Sequence, residues 1–496
     1  MASSPLQIAK DQLSSLTDFQ RDIHVLDVDD PIEIISPYYK KYIKTTWRTS
    51  VITKFASHPD GDEIIYPLNN SFHYLEYTYL CFKLPAIRVK QKFLGKVRIA
   101  WCHDPGNNIR LISIFKEDDD EYHTIDNVWG DIHPQFYQQG GAGKREGHKL
   151  GTGIINYLED WSEDYLPPYD IDVNQPWFYS NDIASAYPIW MKGSLTKASH
   201  RYKYRKKVVN LLRLEELKDG KWVAKKSNLS NYIDIIGPEN IKTPELWGRY
   251  GYISDNELKW NNTCDDTWIT INEEENIKQK VLYTRDVVSC DIENPMKYKN
   301  LSTKVLKCSN PCLAFFWVAE NKDATSIHNY SNYTTNTNNV YEGWDPIKYT
   351  TFRLGQSVVF NKMKSHHFSI AQPREHFPST PWMTGYHGYS NAHDSTDFNA
   401  DIGLVYDELL AVMNCRIDNN DIYINRYKTD DNIDDEDDED EDDDKTEIES
   451  SGYDFKNLDN KSTDLSSPNF IIRTRLLVIR KFTITNRNGV CTFEIK

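Results

Sequence analysis

The chain has 496 residues, long enough for two or three domains with separate cores. Its formal charge of −16 is concentrated: Asp430–Glu449 holds fifteen acidic residues and one lysine, so the remainder carries only −2. A nearly neutral body argues against a fold that grips nucleic acid along one basic face. The longest apolar run, Cys312–Ala319, has eight residues, less than half of the roughly 20 that a membrane-spanning helix needs.

At the N-terminus, Met1–Leu16 lacks a basic region followed by an apolar one, so no secretory leader is expected, and Ala2 excludes N-myristoylation. Folding in the cytoplasm is the corresponding expectation. Gln7–Leu16 has helical spacing, and Asp60-Gly61 marks a turn. Lys96-Val97-Arg98-Ile99-Ala100-Trp101 alternates, which puts Val97, Ile99 and Trp101 on one face of a strand. A turn follows at Asn107-Asn108, and Thr152–Trp161 is the second helical candidate. Further turns are read at Asp219-Gly220 and Asn488-Gly489. The polar stretch Asn261–Lys278, with Glu273-Glu274-Glu275, is the best linker. Cys312–Ala319 reads as a strand covered on both faces. In Lys481-Phe482-Thr483-Ile484-Thr485, Phe482 and Ile484 are expected inward, and Lys481, Thr483 and Thr485 outward.

Aromatics make up 13% of the chain and 31 residues are tyrosine, types that suit pleated, half-buried surfaces. Many strands, few helices and long polar connections place the chain in the all-β class, as sandwiches or barrels. One sandwich cannot use the whole length, so two are expected. The division is an N-terminal arm over 1–25, a first domain over 26–265, a linker over 266–278 and a second domain over 279–496. Between Asp430 and Glu449 like charges repel and almost nothing apolar can be buried, so a disordered loop within the second domain is expected there.

Three patterns invite a chemical role. Gln139-Gly140-Gly141-Ala142-Gly143-Lys144-Arg145 is similar to part of a phosphate-binding loop, but Arg145 stands where a Ser or Thr must hold magnesium. A flexible loop entering a helix explains it better. His366, His367, His376, His387 and His393 form a histidine-rich stretch without any H-x-H pair. Adjacent histidines on a strand point to opposite faces, so a structural hydrogen bond is the favoured role for His387. The stretch His200–Lys207 interleaves bases and aromatics as nucleic-acid readers do. Strand alternation instead packs Tyr202 and Tyr204 on one face and turns Arg201, Lys203 and Arg205 to solvent or to a neighbouring subunit or minor protein.

Eight cysteines lack paired spacings, and Cys308/Cys312 have no second ligand pair nearby, so reduced thiols are expected. No G-x-S-x-G, H-E-x-x-H or catalytic carboxylate pair occurs. The sequons at Asn300 and Asn332 are read as chance in an Asn-rich chain. No catalytic, cofactor-binding or metal-ligating residue is assigned, no cofactor is expected, and the chain is not read as an enzyme.

One segment is more specific than the rest: Pro176-Trp177-Phe178-Tyr179-Ser180-Asn181-Asp182-Ile183-Ala184-Ser185-Ala186-Tyr187-Pro188. Others keep a fixed order with it: Leu84-Pro85-Ala86-Ile87, Ile99-Ala100-Trp101-Cys102, Lys144-Arg145-Glu146-Gly147, Ser331-Asn332-Tyr333-Thr334-Thr335, Thr384-Gly385-Tyr386-His387-Gly388-Tyr389 and the closing hairpin Val478–Ile495. Together they resemble the major capsid proteins of nucleocytoplasmic large DNA viruses, most closely the iridovirus type, over roughly residues 40–496. The departures are Ala184 and Tyr187, where that family usually has glycine and leucine.

The resemblance implies two tandem eight-stranded jelly-roll barrels with long loops and a few short helices. It also implies homotrimers that imitate a hexagon and tile an icosahedral virion shell around an internal membrane. The expected partners are then further copies of the chain, minor capsid and penton proteins, and the membrane through minor proteins, without direct genome binding. The expected place is the virion, with late synthesis and assembly in the host cytoplasm. Asp182 is expected to accept backbone N–H bonds in an Asx-turn. Two other functions compete: a double-barrel scaffold or minor capsid protein of the same virus class, and a jelly-roll carbohydrate-binding protein. The absence of a leader or a metal constellation counts against the latter.

Overall fold

The computed structural model describes residues 49–61, 63–67, 74–117, 120–137, 161–174, 198–252, 268–273, 275–291, 301–308, 312–354, 357–390, 409–417, 469–487 and 490–495. The N-terminal arm, the 139–145 and 176–188 motifs with Asp182, the 7–16 helix candidate, nearly all of 152–161, the turn at 488–489, His393 and the acidic run 430–449 lie outside these residues.

Among the described residues, sixteen strands build the two barrels. The first eight are β1 (Thr49–Lys54), β2 (Glu63–Pro67), β3 (Tyr74–Leu84), β4 (Arg110–Glu117), β5 (Asp120–Asp126), β6 (Tyr169–Asn174), β7 (Ala198–Tyr204) and β8 (Glu245–Tyr252). The second eight are β9 (Ile277–Ser289), β10 (Leu301–Cys308), β11 (Cys312–Asn321), β12 (Ile347–Leu354), β13 (Ser357–Lys364), β14 (Tyr386–Ser390), β15 (Leu409–Ile417) and β16 (Phe470–Arg487). Hydrogen-bonded neighbours run β1-β8-β3-β6 and β2-β7-β4-β5 in the first half, and β9-β16-β11-β14 and β10-β15-β12-β13 in the second. Numbered from one to eight within each half, both orders are 1-8-3-6 and 2-7-4-5. That shared order is the eight-stranded jelly roll, present twice.

Each barrel buries the facing sides of its two sheets. Phe82, Leu84, Ile171 and Val173 lie in the first core, joined by Ile99, Trp101, Leu211 and Leu214 from the connections. The second core is more aromatic: Phe315, Trp317, Phe352 and Phe368 pack with Met413, Cys415, Leu476 and Val478. Phe315 and Phe352 meet edge to face at 5.0 Å between ring centroids.

Because consecutive strands run antiparallel, the 1→2, 3→4, 5→6 and 7→8 connections of a barrel share one end. In the first barrel three of them carry structure of their own, together called the tower. Strands Lys221–Ala224, Leu212–Lys218 and Val97–Trp101 form one small sheet, and Ile233–Ile236, Ala86–Val89 and Tyr165–Leu166 form another. Arg98 ties them to the 5→6 connection, lying 4.7 Å from the rings of both Trp161 and Trp222. Two helices belong to the same end: α1 (Pro105–Ile109) and α2 (Asn127–Tyr137).

Four local expectations need correction. The stretch read as a linker contains a strand, Trp268–Asn272, which pairs with β9. Its Ile-Thr-Ile alternation is β-forming, and the glutamates occupy the hairpin turn, where Asn272 Oδ1 accepts from Glu275 N and Asn276 takes φ 49°. Asn107-Asn108 is not an open turn but part of buried α1, begun by Asp104, whose side chain accepts from Asn107 N at 3.1 Å. Thr483 is buried, not outward: β16 runs there between β9 and Val490–Ile495, inside the sheet and not at its edge. Helix α2 was not expected, since Gly130 and Pro134 disguise it, yet Asp126 caps it through Trp129 N at 2.8 Å.

Candidate assembly site at the barrel junction

The two barrels meet through connections from the shared end. Helix α2, from the 5→6 connection of the first barrel, lies on the outer face of β11 in the second. Phe136 meets Phe316 at 4.9 Å and Phe377 at 5.2 Å, and Trp129 meets Phe316 at 5.6 Å. The eight apolar residues of β11 are therefore covered twice, by their own barrel core and by its neighbour. The helix is also tied down by polar contacts: Ser379 N donates to Phe136 O at 3.0 Å, and Trp382 N to Gln135 Oε1 at 3.1 Å.

Glycines permit this approach. A β-carbon on Gly388 of β14 would stand 2.6 Å from the Phe136 ring. One on Gly385 would stand 2.3 Å from the Tyr333 carbonyl oxygen, and Gly385 has φ +92°. Thr384–Tyr389 is thus a docking face whose spacing follows from close packing.

Beside the aromatic contact runs a buried polar seam. Tyr333 Oη donates to Asp131 Oδ2 at 2.8 Å, while Asn107 Nδ2 donates to Asp131 Oδ1 at 2.9 Å. Burial, reinforced by Asp131, holds the Tyr333 hydroxyl well above its usual range, so it stays a donor. Asn108 Nδ2 donates to Ser331 Oγ at 2.7 Å. Asn332 shapes the loop, donating to Asn336 O and accepting from Thr334. Its buried, engaged carboxamide is closed to glycan transfer in the folded chain. The Ser331–Thr335 motif is therefore the second barrel's half of the seam.

An ionic contact closes the far side. Arg475 of β16, 1% exposed, bonds Asp126 at the start of α2 and Asp291, the latter at 2.5 Å. Burial opposes the charged guanidinium, but the two carboxylates outweigh it and raise its pKa. On the tower side, Arg213 donates to Asn338 O at 2.8 Å and to Trp101 O at 2.9 Å. Tyr330 donates to Asn210 O at 2.8 Å, and His328 Nδ1 meets Leu212 O at 2.9 Å.

The histidine and basic motifs resolve into packing. His387 is fully buried, with Nδ1 on Trp317 O at 3.2 Å and Nε2 on Asp345 Oδ2 at 2.8 Å, the structural bond expected of it. His366 is exposed, while His367 and His376 are half-buried. Among the described residues no three His, Cys, Asp or Glu side chains cluster with metal-binding geometry. Cys81, Cys102, Cys290, Cys312 and Cys415 form no disulfide, and burial pushes the Cys415 thiol up to about 12.

In β7, Tyr202 is buried against Tyr66 at 5.6 Å, and Lys203 pairs with Glu63 at 3.5 Å. Arg205 departs from the expected outward placement: it lies 3.9 Å over the Tyr330 ring, bridging to the second barrel of its own chain. Asp126, Asp131, Gln135 and Arg475 stand in no motif of the sequence. One signal was available, the pair Arg473 and Arg475 inside the apolar run Phe470–Ile479.

The comparisons with known proteins fall on this arrangement. Residues 268–401 match the family described as large eukaryotic DNA virus major capsid protein. The major capsid protein of Invertebrate iridescent virus 6 is 25% identical over 381 residues, covering 70% of this chain and 75% of that protein. In sequence the chain is thus similar to the major capsid proteins of large DNA viruses. The matched stretch includes Ser331–Thr335 and Thr384–Tyr389, the second barrel's side of the junction.

Solved capsid structures share its fold. The PBCV-1 virus capsid has a TM-score of 0.59 at 10% identity, covering 90% of this chain and 96% of that one. The Faustovirus major capsid protein has a TM-score of 0.54 at 8% identity, with 96% and 98% coverage. The chain is a double jelly roll, as expected.

Proposed function

We propose that three copies of this capsid protein form a homotrimer whose six barrels imitate a hexagon, and that such trimers tile an icosahedral shell. The observation that carries the reading is the junction: two barrels of identical strand order, locked side by side with their long connections at the same end. Three such pairs around a three-fold axis give six similar lobes.

An obligate trimer needs contacts on the order of 2,000 Å². Apolar side chains left exposed on outer strands support this, among them Ile269 and Ile271 at 64% and 55% exposure, and Val358 on β13. We place the division between the barrels within residues 253–267, after β8 and before the Trp268 strand. The role is structural, without catalytic, cofactor or metal residues and without direct genome contact. Its partners are its own copies, minor capsid and penton proteins, and through minor proteins the internal membrane. Its place is the virion shell, built in the host cytoplasm.

Sedimentation of the purified full chain at micromolar concentration tests the reading. A trimer is expected; a stable, folded monomer overturns it. A gel of purified particles separates lattice protein from scaffold, since the lattice protein dominates the virion and a scaffold is lost on maturation.

A further inference from the structure

We propose that the acidic run Asp430–Glu449 docks, within its own chain, on the lysine-rich tip of the first barrel's tower. The proposal concerns a single chain and does not depend on the shell it builds.

The tip is a hairpin turned at Asp219-Gly220, where both residues have positive φ, 49° and 75°. Lys218 and Lys221 stand opposite each other across it, a like-charge pair that Glu216 relieves on the Lys218 side alone among the described residues. The surrounding lysines form one continuous surface. Lys225 lies 5.1 Å from the Tyr232 ring, Tyr232 packs on Phe93 at 4.6 Å, and Lys92 covers Phe93 at 4.8 Å. Lys96 joins at the base of the hairpin, its carbonyl accepting from Leu217 N at 2.7 Å.

The local acids are largely spoken for. Glu215 pairs with Arg98, Glu216 is shared by Lys218 and Lys225, and Asp234 pairs with Lys90. That leaves the turn carboxylate Asp219, while exposed Lys96, Lys221 and Lys226 have no acidic partner among the described residues. Between them Leu94, Leu217 and Val223 expose large apolar side chains. An occupant that is strongly anionic with occasional apolar residues fits this surface.

The acidic run has that chemistry, with Ile433 and Ile448 among its carboxylates. Its position also favours the tip of its own chain. It belongs to the 7→8 connection of the second barrel, which leaves β15 at Ile417 and returns at Asn469. Asn469 N donates to Asp323 Oδ2 at 3.3 Å, and Asn469 O accepts from Lys322 N at 2.8 Å. A few residues on, His328 and Tyr330 contact Leu212 O and Asn210 O, the root of the tip hairpin. The return point therefore lies beside the strand that leads to the lysines. The segment between Glu449 and Asn469 can span up to about 60 Å at ~3.3 Å per residue, against roughly 20 Å for the hairpin strand.

Carbodiimide cross-linking of the full chain, read by mass spectrometry, tests the docking. Links from Lys92, Lys96, Lys221 or Lys226 to carboxylates within 430–449 are expected at low salt. They should fall at least tenfold at ~1 M salt, where screening shortens to about 3 Å. In a mixture of isotope-labelled and unlabelled chains, those links should stay within one isotope. Links between isotopes alone, links to other surfaces or no links from the run overturn the proposal. In a second measurement, the chain with 430–449 replaced by a Gly/Ser linker should bind a synthetic Asp430–Glu449 peptide at low salt. The same chain carrying K221E and K226E should bind it at least tenfold more weakly. Equal binding by the two proteins also overturns the proposal.

Discussion

β3 and β11 hold the same place in their barrels, third in sequence and interior in the same sheet, yet their burial differs. In β3, alternation is clear toward its end: Leu80, Phe82 and Leu84 are buried, and Lys83 is exposed and pairs across to Asp170. In β11 every residue from Cys312 to Ala319 is buried. Fold and topology are the same for both, so the difference must come from what covers the outer face. Helix α2 covers β11, and water meets Lys83. An apolar strand at a position where its sister alternates therefore marks the wall through which one barrel holds the other.

Substitutions on the two walls should separate in size. Phe316→Ala should cost about 3–5 kcal/mol in denaturant unfolding, through lost transfer energy and a cavity against Phe136. Lys83→Ala should stay within about 0.5 kcal/mol. Equal losses would mean that the α2 contact contributes nothing. Next in size is Arg475→Ala, expected to cost about 3 kcal/mol because it takes the guanidinium from Asp126 at the junction, while Asp291 keeps Arg473 at 3.0 Å. Combined with Asp126→Ala, it should show a favourable coupling in a double-mutant cycle, whereas independent losses would place the pair outside the junction.

Gly388→Ala should cost about 1–3 kcal/mol by overpacking against Phe136, with part of the loss restored by Phe136→Leu. Absence of any rescue would locate the strain elsewhere. The smallest effect is pH-dependent. Burial, with Arg205 nearby, lowers the His328 pKa below 6.5, although the Leu212 carbonyl works against this. The unfolded chain then binds the proton more readily than the folded one. The contribution is complete above about pH 6.5 and declines as pH falls through that value and below it. Melting temperature should therefore drop between about pH 7 and pH 5 by less in His328→Gln than in the parent, and equal drops would exclude His328 as a source.

The jelly-roll class was legible because alternation and turn residues are local signals, and because ordered motifs gave the resemblance its direction. Asp219-Gly220 shows the match at its clearest, with both residues in the left-handed region a two-residue hairpin requires. The junction was far less legible. Asp126 lies 349 residues from Arg475, and nothing near Arg475 announces a partner in the other barrel. Helix α2 is short, and its glycine and proline read as breakers because the packing that sustains it comes from β11. The glutamates of 273–275 suggested a linker because charge is common to linkers and hairpin turns. Only the β-branched residues just before them distinguish the two.

The connections are distributed unequally between the two ends of the molecule. At one end lie the tower of the first barrel and the long excursions from β11 to β12 and from β15 to β16. At the other, β4 joins β5 and β12 joins β13 through only two residues each. Foreign sequence such as an epitope or a fluorescent reporter is thus best spliced between Ile417 and Asn469, into the longest connection of the second barrel. The same cargo between Glu117 and Asp120 would pry apart a tight hairpin and shift its register. Room for an insertion lies in the 7→8 connection of the second barrel, and the two-residue hairpins at the other end leave none.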